Sequence, residues 1–204
     1  MSPWYVFGYN LSRWVAQIFF RYRVIHPERV IQDGPVILAM NHQSYLDPPL
    51  AGIACRRAIY FLARKTLLDI PLLGPILPKL NVIPVDQEGG DRSALKAIIR
   101  LLRADQCVLV FPEGARTEDG NLQPAQAGVG FIIAKTRAPV VPMRIFGAHD
   151  ALPRGGKKLR LARITVAVGE PLHFSEADVA GNGREVYPRL SQQVMDAIAK
   201  LRLE

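Results

Sequence analysis

Residues able to do chemistry gather in two short stretches, Asn41-His42-Gln43-Ser44-Tyr45-Leu46-Asp47-Pro48 and Phe111-Pro112-Glu113-Gly114-Ala115-Arg116-Thr117. In the first, His42 and Asp47 lie five positions apart. Five residues of continuous helix turn through about 140°, so a turn is needed to bring Asp47 onto the His42 ring. Pro48 favours it, because the residue before a proline is biased away from helical geometry. Paired in this way, Asp47 would fix the imidazole tautomer and stabilise its charged form while His42 takes a proton from a hydroxyl. No Gly-x-Ser-x-Gly elbow accompanies the pair, so no nucleophilic serine is implied. The alternative is that both residues only satisfy backbone groups in a turn.

The second stretch sets a carboxylate, Glu113, and a guanidinium, Arg116, on either side of Gly114. Gly114 permits an unusual turn or close backbone approach, and Arg116 offers a planar fork to a phosphate. A Glu113–Arg116 ion pair that merely closes a turn is the competing reading. A third feature, Val141-Pro142-Met143, puts a proline inside an apolar run, which marks an edge strand or a bulge.

Both stretches follow continuous apolar runs that read as buried strands, 35–40 and 107–111. Further strands are expected at 58–63, 140–146 and 164–168. Helices are expected at 94–103, capped by Asp91 or Ser93, at 129–135 and at 186–203. Alternating helix and strand predicts one α/β domain, a mixed, mostly parallel sheet flanked by helices. The site then falls at the carboxyl ends of the strands, where open α/β sheets bind ligands.

Residues 1–25 stand apart from this body at 26–204. Seven of the chain's aromatics (2 Trp, 6 Tyr and 8 Phe in all) lie in the first 20 residues. Phe7, Leu11, Trp14, Val15, Ile18 and Phe19 recur at helical spacing, with Arg21 and Arg23 beyond them. This predicts an amphipathic helix in a membrane interface, or one packed on the domain's own core. A signal peptide does not fit, since the basic residues follow the apolar run. A full crossing is disfavoured by Asn10, Ser12, Arg13 and Gln17.

The chain has 204 residues, enough for one domain, with 26 Lys+Arg against 18 Asp+Glu for a net charge of +8. A polyanionic partner is implied: anionic lipid, a phosphorylated small molecule or nucleic acid. No nucleic-acid motif is present and the basic cluster Arg154, Lys157, Lys158, Arg160 reads as a solvated loop or a patch facing anionic lipid, so nucleic acid is not expected. Cys55 and Cys107 have no metal-ligand spacing, so no metal site is expected and they read as buried thiols. His26, His149 and His173 read as ordinary surface or packing residues.

Taken in order, these motifs resemble the glycerolipid acyltransferase family, of the 1-acylglycerol-3-phosphate acyltransferase type. NHQSYLD at 41–47 is similar to its NHxxxxD block, FPEGART at 111–117 to its FPEGxR block, and VPM at 141–143 to its V-P-hydrophobic block. Arg64-Lys65 and Ile70-Pro71-Leu72-Leu73-Gly74 resemble the approach to a further block. The resemblance implies acyl transfer from acyl-CoA or acyl carrier protein to a lysophospholipid hydroxyl, without cofactor or metal, at the cytoplasmic face of a membrane. Catalysis would fall to His42 and Asp47. Substrate would be bound by Glu113, Gly114 and Arg116, with Val141 and Pro142 shaping the acyl site. One departure stands out: the family's second block commonly ends in an arginine, where this chain has Gln87, which cannot supply charge. Lys65 or Arg92 are the candidates to compensate. Another lysolipid acceptor, or an inactive lipid-binding module, are the competing expectations.

Overall fold

The computed structural model describes residues 2–71, 74–85 and 91–203. Gln87, Leu72 and Leu73 lie outside the described residues, and the expected cap by Asp91 rests on a side chain that is also outside them. In chain order the elements are α1 (Pro3–Phe20), β1 (Arg23–Ile25), β2 (Val36–Met40), α2 (Asp47–Ala54), β3 (Tyr60–Arg64), β4 (Val82–Val85) and α3 (Asp91–Arg103). There follow β5 (Cys107–Val110), α4 (Gly128–Thr136), β6 (Val140–Phe146), α5 (Ala148–Ala151), β7 (Thr165–Val168), α6 (Glu176–Val179) and α7 (Gly183–Lys200). Helix α3 begins before Ser93, which is therefore a first-turn residue and not the cap. Helix α7 starts ahead of the expected Val186, where the Asn182 side chain accepts from the Arg184 N–H at 3.0 Å.

The strands form a single sheet in the order β1-β7-β6-β2-β5-β3-β4. Strands β4, β3, β5, β2 and β6 run parallel; β7 is antiparallel to β6, and β1 is parallel to β7. All five residues of β2 are buried, which is why it reads as an unbroken apolar run. Their side chains alternate: Val36, Leu38 and Met40 enter a core layer beneath α1 and α2, while Ile37 and Ala39 enter one beneath α3, α4 and α7. Burial pushes the Cys55 and Cys107 thiols upward, to about 12 for Cys107.

Of the two expectations for Pro142, the edge is corrected, because β6 is an interior strand between β2 and β7. The bulge agrees with the pairing, which steps from Pro142 opposite Gly169 to Val140 opposite Leu172, one intervening residue against two. The Pro142 carbonyl accepts from the Gly169 N–H at 2.8 Å, so its nitrogen also faces Gly169, just past the end of β7. The missing donor leaves this pair with one bond of the usual two. Pro84 follows the usual rule on the edge strand β4.

Helix α1 starts on a cap, the Ser2 hydroxyl accepting from the Tyr5 N–H at 3.1 Å, and ends at Arg21 in the left-handed region at φ 42°. Its inner face carries Tyr5, Tyr9, Ala16 and Phe20. Tyr5 Oη accepts from the Ile59 N–H at 3.1 Å, and Tyr9 Oη donates to the Ile53 carbonyl at 3.5 Å. Burial pushes Tyr5 up to about 12. Val15, expected on the outward stripe, packs against the core. The outward face presents Trp4, Phe7, Leu11, Trp14 and Ile18 at three- and four-residue spacing, all exposed, Trp14 by 65%. Among the described residues no helix is long and apolar enough to cross a membrane.

Candidate active site

The turn after β2 brings His42 and Asp47 together, with Nδ1 and Oδ2 2.8 Å apart. Asp47 is fully buried, and the same Oδ2 accepts the backbone N–H groups of Gln43 at 2.5 Å and Ser44 at 2.7 Å. With Oδ2 already accepting two backbone N–H groups, Asp47 is placed to accept a third hydrogen bond from Nδ1–H, the tautomer that makes Nε2 the acceptor nitrogen. The means differ from the expectation. Asp47 is itself the first residue of α2, and Pro48 occupies the first helical turn, where a missing N–H is harmless. The reversal is made upstream: the Asp47 N–H donates to the Ser44 carbonyl at 3.3 Å. Phe111 stacks on the imidazole, with ring centroids 3.7 Å apart and planes 11° from parallel. The ring is thus held in plane from one face and in tautomer from Nδ1.

Strand β5 lies beside β2, so its carboxyl-end loop meets the His42 turn. Glu113 is buried and clamps that loop: Oε2 accepts the His42 backbone N–H at 3.0 Å and Oε1 the Gln123 N–H at 3.2 Å. Burial raises the Glu113 carboxyl above its ordinary range, the negative charge of Asp47 adds to this, and the two backbone donors oppose it. Among the described residues no ion pair joins Glu113 to Arg116, so the ion-pair reading of this stretch does not hold. Gly114 has φ +73°, a conformation that favours glycine. Arg116 turns instead to Tyr45, its guanidinium carbon 3.5 Å from the ring centroid, and leaves Nη1 buried without a hydrogen-bond partner among the described residues. A buried cationic donor with no protein acceptor is where an anionic ligand oxygen can bind.

Three further expected residues lie elsewhere. Lys65 is exposed, in the 3-10 turn Lys65–Asp69 that follows β3. Val141 and Pro142 are buried within β6, opposite Leu38 and Ala39, and pack the sheet below the His42 turn. Supporting residues that sequence reasoning missed surround the pair. The Asn41 side chain ties β2 to β6, donating to the Ile145 carbonyl at 3.1 Å and accepting the Ile145 N–H at 2.8 Å. Gln43 Nε2 donates to the Gly120 carbonyl at 2.9 Å, and the Ser44 hydroxyl to the Leu152 carbonyl at 2.7 Å. His149, read as a surface or packing residue, packs its ring beside Gly120, and its backbone N–H donates to Gln43 Oε1 at 3.4 Å. Their only sequence signal was membership of the two motifs or, for His149, none. Among the described residues no group of three His, Cys, Asp or Glu side chains is placed to hold a metal ion.

A strand-end His–Asp pair on a mostly parallel sheet, clamped by the neighbouring loop, places the chain in a known class. It belongs to the Acyltransferase family, whose sequence model matches residues 21–146. It is 30% identical over 153 residues to the chloroplastic 1-acyl-sn-glycerol-3-phosphate acyltransferase LPAT1 of Arabidopsis thaliana, covering 74% of this chain and 43% of that protein. Against the 1-acyl-sn-glycerol-3-phosphate acyltransferase of Bacillus subtilis it is 29% identical over 178 residues, covering 86% of this chain and 85% of that one. The fold is similar to the crystal structure of the 1-acyl-sn-glycerophosphate (LPA) acyltransferase PlsC from Thermotoga maritima. That similarity has a TM-score of 0.71 at 26% identity over 98% of this chain and 80% of that one. The chain thus spans less than half of the plant relative and most of the bacterial ones.

Proposed function

We propose that the protein transfers a fatty acyl group from an acyl thioester, acyl-CoA or acyl carrier protein, to the free hydroxyl of 1-acylglycerol 3-phosphate, forming phosphatidic acid. The observation that carries this reading is the His42–Asp47 pair at the carboxyl edge of the sheet, beside an Arg116 Nη1 that has no hydrogen-bond partner among the described residues. Nε2 takes the proton from the acceptor hydroxyl as its oxygen attacks the thioester carbonyl. The C–O bond forms, the C–S bond breaks as the tetrahedral intermediate collapses, and the imidazolium returns the proton to the departing thiolate. No acyl-enzyme and no cofactor enter this scheme. Asp47 supports the imidazolium, Arg116 binds the acceptor phosphate, and Glu113 and Gly114 form the loop that walls the acceptor. Val141 and Pro142 back the acyl site from within the sheet, and Lys65 adds charge near the headgroup. The outward stripe of α1 supports an interfacial anchor on the cytoplasmic surface of an anionic membrane.

The test supplies a labelled acyl thioester with a panel of lysophosphatidic acid, other lysophospholipids and glycerol 3-phosphate. Product from lysophosphatidic acid that His42→Ala loses is expected. Product from another acceptor alone would reassign the substrate, and no product with any pair would remove the enzymatic reading.

A further inference from the structure

Residues 152–163, which join α5 to β7, take no part in the chemistry above. They carry five cations, Arg154, Lys157, Lys158, Arg160 and Arg163, and no Asp or Glu. Among the described residues only Arg154 of these has an ion-pair partner, Glu118 at 3.2 Å. Two large apolar side chains alternate with the cations and point outward, Leu159 exposed by 52% and Leu161 by 78%. Basic residues interleaved with outward leucines match a surface that is anionic at its face and apolar just behind it.

The placement of the segment narrows the occupant. At its start the Leu152 carbonyl accepts from the Ser44 hydroxyl, and Arg154 Nη1 donates to the Arg116 carbonyl at 3.4 Å, so it leaves from the loops that hold His42 and Arg116. At its end the Ile164 N–H donates to the Phe20 carbonyl at 2.9 Å, and the Arg23 N–H to the Ile164 carbonyl at 3.1 Å. It therefore arrives at the C-terminal end of α1, beside the exposed Ile18 and Phe19. Its middle is pinned, the Arg160 N–H donating to the Ala151 carbonyl at 2.9 Å.

We infer that residues 157–163 are a second membrane contact, in which Lys157, Lys158, Arg160 and Arg163 bind anionic phospholipid headgroups while Leu159 and Leu161 enter the interface. This rests on the reading of α1 as an anchor and extends it. One amphipathic helix fixes depth but leaves rotation about its axis open; a second contact that begins at the site fixes orientation. The mouth of the His42 site is then held against the bilayer, and a lysolipid reaches Nε2 without fully leaving the lipid phase.

The test places an indole at the proposed contact: Leu161→Trp in a full-length Trp4→Phe/Trp14→Phe background, with Gln193→Trp on α7 as the control position. Vesicles of phosphatidylcholine and phosphatidylglycerol with brominated acyl chains should quench the indole of the Leu161→Trp variant and not that of the control. Lys157→Gln/Lys158→Gln should lower affinity for these vesicles by roughly twenty-five-fold at low salt, about fivefold per lysine. The same variant should leave transfer to detergent-dispersed acceptor unchanged. An unquenched indole on vesicles with which the protein co-sediments overturns the second contact and leaves the α1 anchor standing. Failure to co-sediment at all overturns both. A response to an acidic carrier protein in solution but not to vesicles overturns the inference and assigns the patch to a protein partner.

Discussion

The guanidinium carbon of Arg116 sits over the Tyr45 ring, 3.5 Å from its centroid, and this contact joins the loop after β2 to the loop after β5. Tyr45 is itself 61% exposed, so its ring covers the arginine without being held by a core of its own. The contact aims a planar cation whose Nη1 has no partner among the described residues, which makes Tyr45 a positioning residue for the proposed phosphate ligand. A contact of this kind is worth about 1 kcal/mol, roughly fivefold in binding. Tyr45→Leu should raise the acceptor KM by about that factor and leave the acyl-donor KM in place, while Tyr45→Phe, which keeps the ring, should match the wild type. Equal changes in both KM values would show that the loop was disturbed as a whole.

Asp47 offers a sharper test of the pair. Its Oδ2 accepts three donors, one imidazole and two backbone N–H groups. An amide can keep one carbonyl oxygen there only by placing its NH2 at the buried Oδ1 position, which has no partner. Asp47→Asn should cost on the order of 10³-fold in kcat, from loss of the charge that supports the imidazolium and from the strained placement of the buried NH2. His42→Ala should cost about 10²–10⁴-fold, and the double variant little more than the worse single one, because the two act as a unit. Additive losses would mean that Asp47 acts through folding alone.

The pieces legible in the sequence were those decided locally. Strands β2, β5 and β6 are buried on both faces and announce themselves as apolar runs; β1, of three residues, and β4, with Pro84 at the sheet edge, carry no such pattern. The spacing of His42 and Asp47 was readable as a pair, yet the turn that joins them is made at Ser44–Asp47, not by Pro48. What could not be read depends on β2 lying next to β5. Phe111 on the imidazole and Glu113 on the His42 N–H are separated from their partners by about seventy residues, and only the sheet order brings them together. On α1 the outward stripe was visible as apolar spacing. The inward tyrosines were not, because their role lies in hydroxyls that reach backbone groups of residues 53 and 59.

Glu113 should leave a pH signature. Its carboxyl is raised in the folded protein chiefly by burial, so folding disfavours its ionised form. The penalty is fully present above the folded value and fades as pH falls through that value toward the ordinary carboxylate range. In urea unfolding measured at a series of pH values, the stability of wild type relative to Glu113→Gln should therefore increase on acidification from neutrality. A flat difference would mean that the two backbone donors cancel burial, and the opposite slope that they outweigh it. Because glutamine has one acceptor oxygen for the two N–H groups of His42 and Gln123, the same variant should also lose on the order of tenfold or more in turnover through misplacement of His42.

Helices α4 and α7 cross where Gly130 has no side chain: a Cβ there would stand 1.9 Å from the Tyr187 carbonyl oxygen. The Gly130 N–H also donates to the buried Ser191 hydroxyl at 2.8 Å. Gly130→Ala would gain helix propensity but force the helices apart, and overpacking of this kind costs about 1–3 kcal/mol. A lower thermal midpoint with unchanged acceptor KM is expected, since the crossing lies on the face of the sheet opposite α1 and α2. An unchanged midpoint would mean that the helices can separate freely.

The two faces of α1 should separate stability from membrane binding. Trp14 and Phe7 are exposed and lie on the stripe that contains no buried residue, so Phe7→Ser/Trp14→Ser removes little packing from the folded chain. It should leave the thermal midpoint within a degree or two while sharply reducing co-sedimentation with anionic vesicles, each buried aromatic contributing up to about 1.5–3 kcal/mol of transfer energy. Tyr5→Ala should do the reverse. It empties a buried site, leaves the Ile59 N–H without its acceptor, and should destabilise by about 3–5 kcal/mol. Assayed at a temperature where that variant remains folded, vesicle binding should persist, because the outward stripe is untouched. If instead the Phe7/Trp14 variant melted early and still bound vesicles, the aromatic stripe would be packing surface and the anchor would have to lie elsewhere in the chain.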